Sequence, residues 1–267
     1  MTKVALKDVP ETMLWTLYNR ASEANRKDGI IVDDKAVEIY QSIDYDYEKN
    51  FGRTDQSFAV RSLTFDREVR MFINTFPDCY IVNLGEGLET QRFRFGNDQA
   101  TWISVDLPEA MEVREQFIQP DERHLHIAAS ALDRKWFDEI PKDKPVFFTA
   151  QGLFMYLKEE EVHSLVVDIT KTFQKGFVMF DTVPLWISFL TSSPIGLKKT
   201  WSYTLPKMPW GINRNEINDI KEWSNKIKRV REIPYAFPKG WQKFLFDSVL
   251  SAPILNRHAP TMVKIEF

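Results

Sequence analysis

Five short apolar runs punctuate the middle of the chain: CYIVNL from Cys79, TWISVDL from Thr101, LHIAAS from Leu125, PVFFTAQ from Pro145 and GFVMFDT from Gly176. They recur roughly every 20 to 30 residues. Several are apolar throughout, which a strand tolerates when both of its faces are buried, as in a parallel sheet. Between them lie segments with helical spacing: PEAMEVREQFI from Pro108, LDRKWFDEI from Leu132 and KEEEVHSLVVDITKTF from Lys158. The last places apolar residues at 162, 165, 166, 169 and 173, a stripe along one helix face. Strand and helix in alternation predict an α/β fold with a doubly wound, mostly parallel sheet.

The C-terminal end extends this pattern. IKRVREIPY and TMVKIEF read as two further strands around the helical GWQKFLFDSVL. TMVKIEF alternates, as an edge or antiparallel strand does, so the expectation is seven strands with the last pair closing one side. Residues 184–226 fit no sheet element and read as an insertion between strands five and six, helical toward its end, that lids the carboxyl edge of the sheet. Residues 1–57 precede the first strand and read as a helical cap over the same edge. The whole, 1–267, reads as one domain, with no internal repeat and no low-complexity segment.

Composition narrows the partners. A net charge of −3 lacks the concentrated Lys and Arg that nucleic acid requires. No run of apolar residues is long enough for a membrane span, and TVPLWISFLTSSPIGL is broken by two prolines. Cys79 is the single cysteine, so no internal disulfide forms, and a reducing cytoplasm is the expected compartment. Clustered Cys and His are absent, so no metal site is expected, and Asp33 and Asp34 read as a helix start.

Four places at the carboxyl ends of the predicted strands carry chemistry. In CYIVNLGEGLETQRFRF the first strand ends in Gly85-Glu86-Gly87 and runs on into residues with a helical look. Glycines there let backbone N–H groups approach a polar ligand, although Thr90 leaves the dinucleotide fingerprint incomplete and a plain structural turn remains open. Asp106 ends the next strand, where an acidic residue accepts ribose hydroxyls or caps the helix from Pro108. In AASALD, Asp133 either borders an adenine, beside a Leu132 backbone donor, or caps the following segment. In TAQGLFMYL, polar Gln151 and Gly152 interrupt an apolar run where the reactive end of a ligand would lie.

Taken together, VNLGEGLETQRFR, VDLPEAMEVRE, SALD followed by a tryptophan, and QGLFMYL resemble the class I S-adenosylmethionine-dependent methyltransferases of the leucine carboxyl methyltransferase group, in its bacterial polyketide methyltransferase-like branch. The likeness runs from about Thr16 to Asp181 and includes the VRSLTFDREVRMFI helix. It implies a cofactor, S-adenosylmethionine, and roles for individual residues. Gly85 and Gly87 line its methionine part. Asp106, with Leu107 beside it, holds the ribose. Leu132 and Asp133 meet the adenine, and Arg61 pairs with the carboxylate, a task suited to a guanidinium. Glu89 stands where many relatives have Asp, and Gln151 where many have Glu, so an amide replaces a charge near the cofactor's amino group.

Methyl transfer asks the protein to place an acceptor in line with an activated methyl and to exclude water. A carboxylate acceptor needs no base, whereas a hydroxyl gains from one. His124, His126, His163 and His258 sit in unpromising places for that task. Tyr156 is the better candidate to orient a small-molecule acceptor, against the plainer reading of a core tyrosine. Trp186, Trp201, Trp210 and Trp223 in the lid suit an apolar acceptor or simply form the lid's own core. Rival readings are a nicotinamide-dependent oxidoreductase and a non-catalytic binder of the same cofactor.

Overall fold

The computed structural model describes residues 8–96, 98–238 and 240–267. Seven strands form one sheet: β1 Tyr80–Leu84, β2 Thr101–Asp106, β3 His124–Ala128, β4 Val146–Ala150, β5 Gly176–Thr182, β6 Arg229–Pro234 and β7 Thr261–Glu266, in the order β3-β2-β1-β4-β5-β7-β6. The first five pair in parallel, with Val82 opposite both Ile103 and Phe148. β7 runs antiparallel to both β5 and β6. The chain steps outward from β1 through β2 to β3, then returns to lay β4 on the other side of β1. The switch of direction lies between β1 and β4.

Both faces of the sheet are buried around β1, β2, β4 and β5, which is why these strands are mostly apolar. On one face Val82, Ile103, Val105 and Phe148 pack with Val162, Leu165, Val166 and Ile169 of α6, Glu159–Thr172. On the other, Ile81, Trp102, Phe147 and Met179 pack with Phe65, Val69 and Phe72 of α4, Ser57–Thr75. Neighbouring residues such as Ile81 and Val82 thus serve opposite layers. A third apolar cluster joins α1, Asp8–Ala24, α2, Asp34–Ser42, and α3, Tyr47–Phe51, to α5, Pro108–Glu115. Asp33 caps α2 by accepting the Ala36 N–H at 3.0 Å.

Two expectations are corrected. The residues after the glycine turn make no α-helix, only a 3-10 turn over Gln91–Arg94, because Gln91 and Arg94 are drawn into side-chain bonds with Asp66. LDRKWFDEI is likewise a 3-10 helix, Arg134–Glu139. β7 is antiparallel, as its alternation implies, and it lies between β5 and β6, so the last pair closes one side of the sheet as expected. The exposed edge is β6. The polar residue that gave β7 its alternating look, Lys264, is buried against Glu68 at 2.9 Å and lies over the Phe177 ring.

Residues 183–228 connect β5 to β6. They contain α7, Leu185–Ser192, and a 3-10 helix, Arg214–Trp223. Thr200 and Ser202 bond the backbone of Asn50 and Lys49, and Tyr203 packs edge-on against Phe51, so this connection rests on the N-terminal cap. α8, Gly240–Ser251, and α9, Pro253–Arg257, lead into β7.

Candidate active site

A cavity of about 290 Å³ opens at the carboxyl ends of β1, β2 and β4, at the switch of direction where open α/β sheets bind ligands. Its floor is Gly85, Glu86 and Gly87 after β1, Asp106 and Leu107 at the end of β2, Ser130 and Ala131 after β3, and Gln151 and Gly152 after β4. Its roof is α1, through Thr12, Met13 and Thr16.

The glycine turn is shaped by its neighbours. Gly85 and Gly87 adopt φ of 62° and 51°, a left-handed conformation that favours glycine. A Cβ at Gly85 would stand 2.9 Å from Leu153, and one at Gly87 2.8 Å from Met13. Asp106 accepts the Gly87 N–H at 2.6 Å and the Leu107 N–H at 2.8 Å. It does not cap α5, whose first turn has Leu107 at the cap and no side-chain bond to it. Burial raises the Asp106 carboxyl above the usual carboxylate range.

Beneath the turn, Arg114 is wholly buried. It donates to the Gly87 and Glu89 carbonyls at 2.7 and 2.9 Å and pairs with Glu86 at 3.1 Å. Glu86 is also bonded by Asn83 and Ser104, and Ser104 meets the His124 ring at 2.9 Å. Burial, with Arg114 nearby, holds His124 down to about 3, so it is neutral in the fold. None of the four histidines lines the cavity.

Glu89 lines the cavity's inner wall and is held by Arg20 at 3.1 Å and Arg94 at 2.8 Å. Although burial opposes it, these guanidiniums lower its carboxyl from 4.5 to about 2. A carboxyl so lowered contributes stability that is complete above pH 4.5 and fades as pH falls toward 2. Glu89→Gln will therefore be less stable than the parent at pH 7, and the gap in urea unfolding free energy will shrink on acidification. A gap that stays constant with pH would place the Glu89 interaction elsewhere.

The expected site residues divide into two sets. Arg61, Gly85, Gly87, Asp106, Leu107, Gln151 and Tyr156 all line the cavity. Leu132 and Asp133 do not: the Leu132 N–H bonds the Ser130 hydroxyl, and exposed Asp133 accepts the Lys135 N–H at 3.1 Å as a cap. Ser130 and Ala131 hold that part of the wall instead. Trp186, Trp201, Trp210 and Trp223 do not line the cavity either. Trp210 packs in the core beside Phe154 and Phe180, partly buried Trp223 packs against Trp210, and Trp186 and Trp201 are exposed. Arg20, Arg94 and Arg114 escape a reading by residue type. The signal for Arg114 is its position, since with Leu107, Ala110 and Met111 it completes the apolar stripe of α5, where an arginine is out of place unless it is bonded.

This sheet order, with a glycine turn and an acidic strand end at the switch of direction, defines a class I methyltransferase fold. A solved structure of the CurJ carbon methyltransferase shares it, with a TM-score of 0.53 over 96% of this chain and 67% of that one, at 10% identity. The leucine carboxyl methyltransferase profile matches residues 14–170, and the chain belongs to that family. It is 30% identical over 186 residues to the tetracenomycin polyketide synthesis O-methyltransferase TcmP of Streptomyces glaucescens, covering 68% of this chain and 69% of that protein. It is 26% identical over 235 residues to the S-adenosyl-L-methionine-dependent methyltransferase dpfgK of Gibberella zeae, covering 77% and 78%. The protein is an S-adenosylmethionine-dependent methyltransferase, which removes the oxidoreductase and the non-catalytic binder as readings.

Proposed function

We propose that this enzyme methylates an oxygen, of a carboxylate or a hydroxyl, on a small molecule in the cytoplasm. The observation that carries the cofactor's placement is a pair of unmet polar atoms on the cavity wall. Gln151 Oε1 and Arg61 Nε are both buried without a hydrogen-bond partner. One is an acceptor and the other a donor, which suits the ammonium and carboxylate of an amino-acid tail. Gly85 and Gly87 would adjoin that tail. Asp106 and Leu107 would meet the ribose, since each Asp106 oxygen keeps a lone pair beyond its backbone bond. The Ser130–Asp133 turn, with Leu132 and Asp133 behind its cavity-lining residues, would border the adenine.

When bound, the cofactor supplies an electrophilic methyl on a sulfonium. The protein's own part is positioning and exclusion of water. α1 closes the roof with Met13 and Thr16, and Leu153 and Leu157 complete an apolar wall. Tyr156 lines the same space, and burial raises its hydroxyl to about 12, so it stays a proton donor that can orient an acceptor oxygen. A carboxylate acceptor arrives already ionised and needs nothing further. The O-methyltransferase name of the Streptomyces relative supports oxygen as the acceptor atom.

S-adenosylhomocysteine at millimolar concentration will raise the thermal midpoint, because a ligand held only by the folded state stabilises it by mass action. NAD will leave the midpoint unchanged. A shift with NAD and none with S-adenosylhomocysteine would overturn the placement. Methyl transfer to candidate acids and phenols, followed by mass spectrometry of the product, tests the acceptor atom, and a product methylated on carbon or nitrogen would refute oxygen.

A further inference from the structure

We propose that Asp181 is a positioning residue for the amino-acid end of the cofactor, holding Arg61 by one nitrogen and aiming Gln151 through the neighbouring backbone. The inference rests on the reading above that Arg61 and Gln151 face that end.

Asp181 lies near the end of β5 and is almost wholly buried. Both of its oxygens are used. Oδ2 accepts from Arg61 Nη1 at 2.9 Å, and Oδ1 accepts the Gly152 N–H at 2.5 Å. One carboxylate therefore joins three separate pieces of the site: β5, α4 and the turn after β4. The Arg61 guanidinium also lies over the Phe58 ring, 5.4 Å from its centroid.

The division of labour within Arg61 gives the arrangement its meaning. An ion pair with no further purpose would engage the guanidinium fork through two nitrogens, the favoured arrangement with a carboxylate. Here Asp181 takes Nη1 alone, and Nε is buried without a partner. The Nε–Nη2 edge is left to grip a second carboxylate with two parallel bonds. At the other oxygen, fixing Gly152 fixes Gln151, the adjacent residue, whose Oε1 is the unmet acceptor. Gly152 itself has φ of 68°, and a Cβ there would stand 3.1 Å from Arg61 Nη1, so the turn and the guanidinium are closely fitted. A donor edge for a carboxylate and an acceptor for an ammonium are thus set by one side chain that touches neither. The ligand class that this pair reads is a free α-amino acid terminus.

The test compares S-adenosylhomocysteine with methylthioadenosine, which lacks the amino-acid tail, by calorimetry. Asp181→Asn will weaken S-adenosylhomocysteine about tenfold, the scale of a misplaced charge-assisted bond, and leave methylthioadenosine unchanged. Arg61→Met will also weaken only the tailed ligand. Because Arg61→Met leaves Asp181 buried and unpaired, the double variant supplies an uncharged pair that folds, and in it Asp181→Asn will cost no further affinity. Parent-like binding by Asp181→Asn, with Arg61→Met weakened, would overturn the positioning role and leave the reading of Arg61 standing. Unchanged binding by Arg61→Met would overturn that reading itself. Equal loss for both ligands, or full additivity in the double variant, would reduce Asp181 to a structural part.

Discussion

Arg94→Met will lower the unfolding free energy by about 3 to 5 kcal/mol, the range for removing one partner of a buried ionic group. Arg94 donates to Asp66 through Nε and Nη2 at 2.7 and 2.9 Å, and through Nη1 to Asp33 at 2.7 Å and Glu89 at 2.8 Å. All three carboxylates are buried. Without Arg94, Arg20 would be the one remaining cation at Asp33 and Glu89, and Asp66 would keep only the Gln91 amide, among the described residues. Methionine keeps most of the aliphatic length, so the loss reports charge more than packing. Urea unfolding at pH 7 measures it. A change below about 1 kcal/mol, the size of an exposed pair, would mean that water reaches the cluster.

Asp106→Ala will weaken S-adenosylhomocysteine by roughly 2 to 4 kcal/mol, from charge-assisted bonds to ribose that need not add. The same substitution frees the Gly87 and Leu107 N–H groups, so some stability will also be lost. Adenosine, which keeps the ribose, should suffer alongside the full ligand. Methionine, which lacks it, should not. Calorimetry with the three ligands separates ribose recognition from a general loosening of the turn. An unaltered affinity for S-adenosylhomocysteine would leave Asp106 with only its backbone bonds.

The sheet was legible because its chemistry is local. Apolar runs such as PVFFTAQ and GFVMFDT, short, rich in Val and Phe and opened by Pro or Gly, suit strands buried on both faces, and β5 coincides with the run that announces it. The glycine turn and Asp106 were legible for a related reason, since a strand end with unusual residues stands out from its own apolar background. The long-range bonds of the buried arginines were not. Arg20 on α1 reaches Leu88 O, 68 residues away, and Arg61 reaches Asp181, 120 residues away. Arg20 looks like an ordinary helix arginine and Arg61 was legible only through the family resemblance; the protein partner of each is supplied by the packing of α1 and α4 onto the sheet. The helix expected after the glycine turn failed for the same reason. Local propensity favoured it, but Gln91 and Arg94 gain more from Asp66, Asp33 and Glu89 than another helical turn would give.

The interior place of β7 has a consequence for the order in which the molecule can be assembled during synthesis. Residues 229–234 emerge from the ribosome well before 261–266, yet among the described residues β6 pairs with no strand other than β7. Until that later segment is made, β6 has no strand to join, and the flank of β5 that will receive β7 stays open. Such unpaired strand edges are sticky. A nascent chain interrupted before residue 261 would carry both edges at once, exposed to chaperones and proteases, while β1 to β4 already had their sheet partners among the five parallel strands.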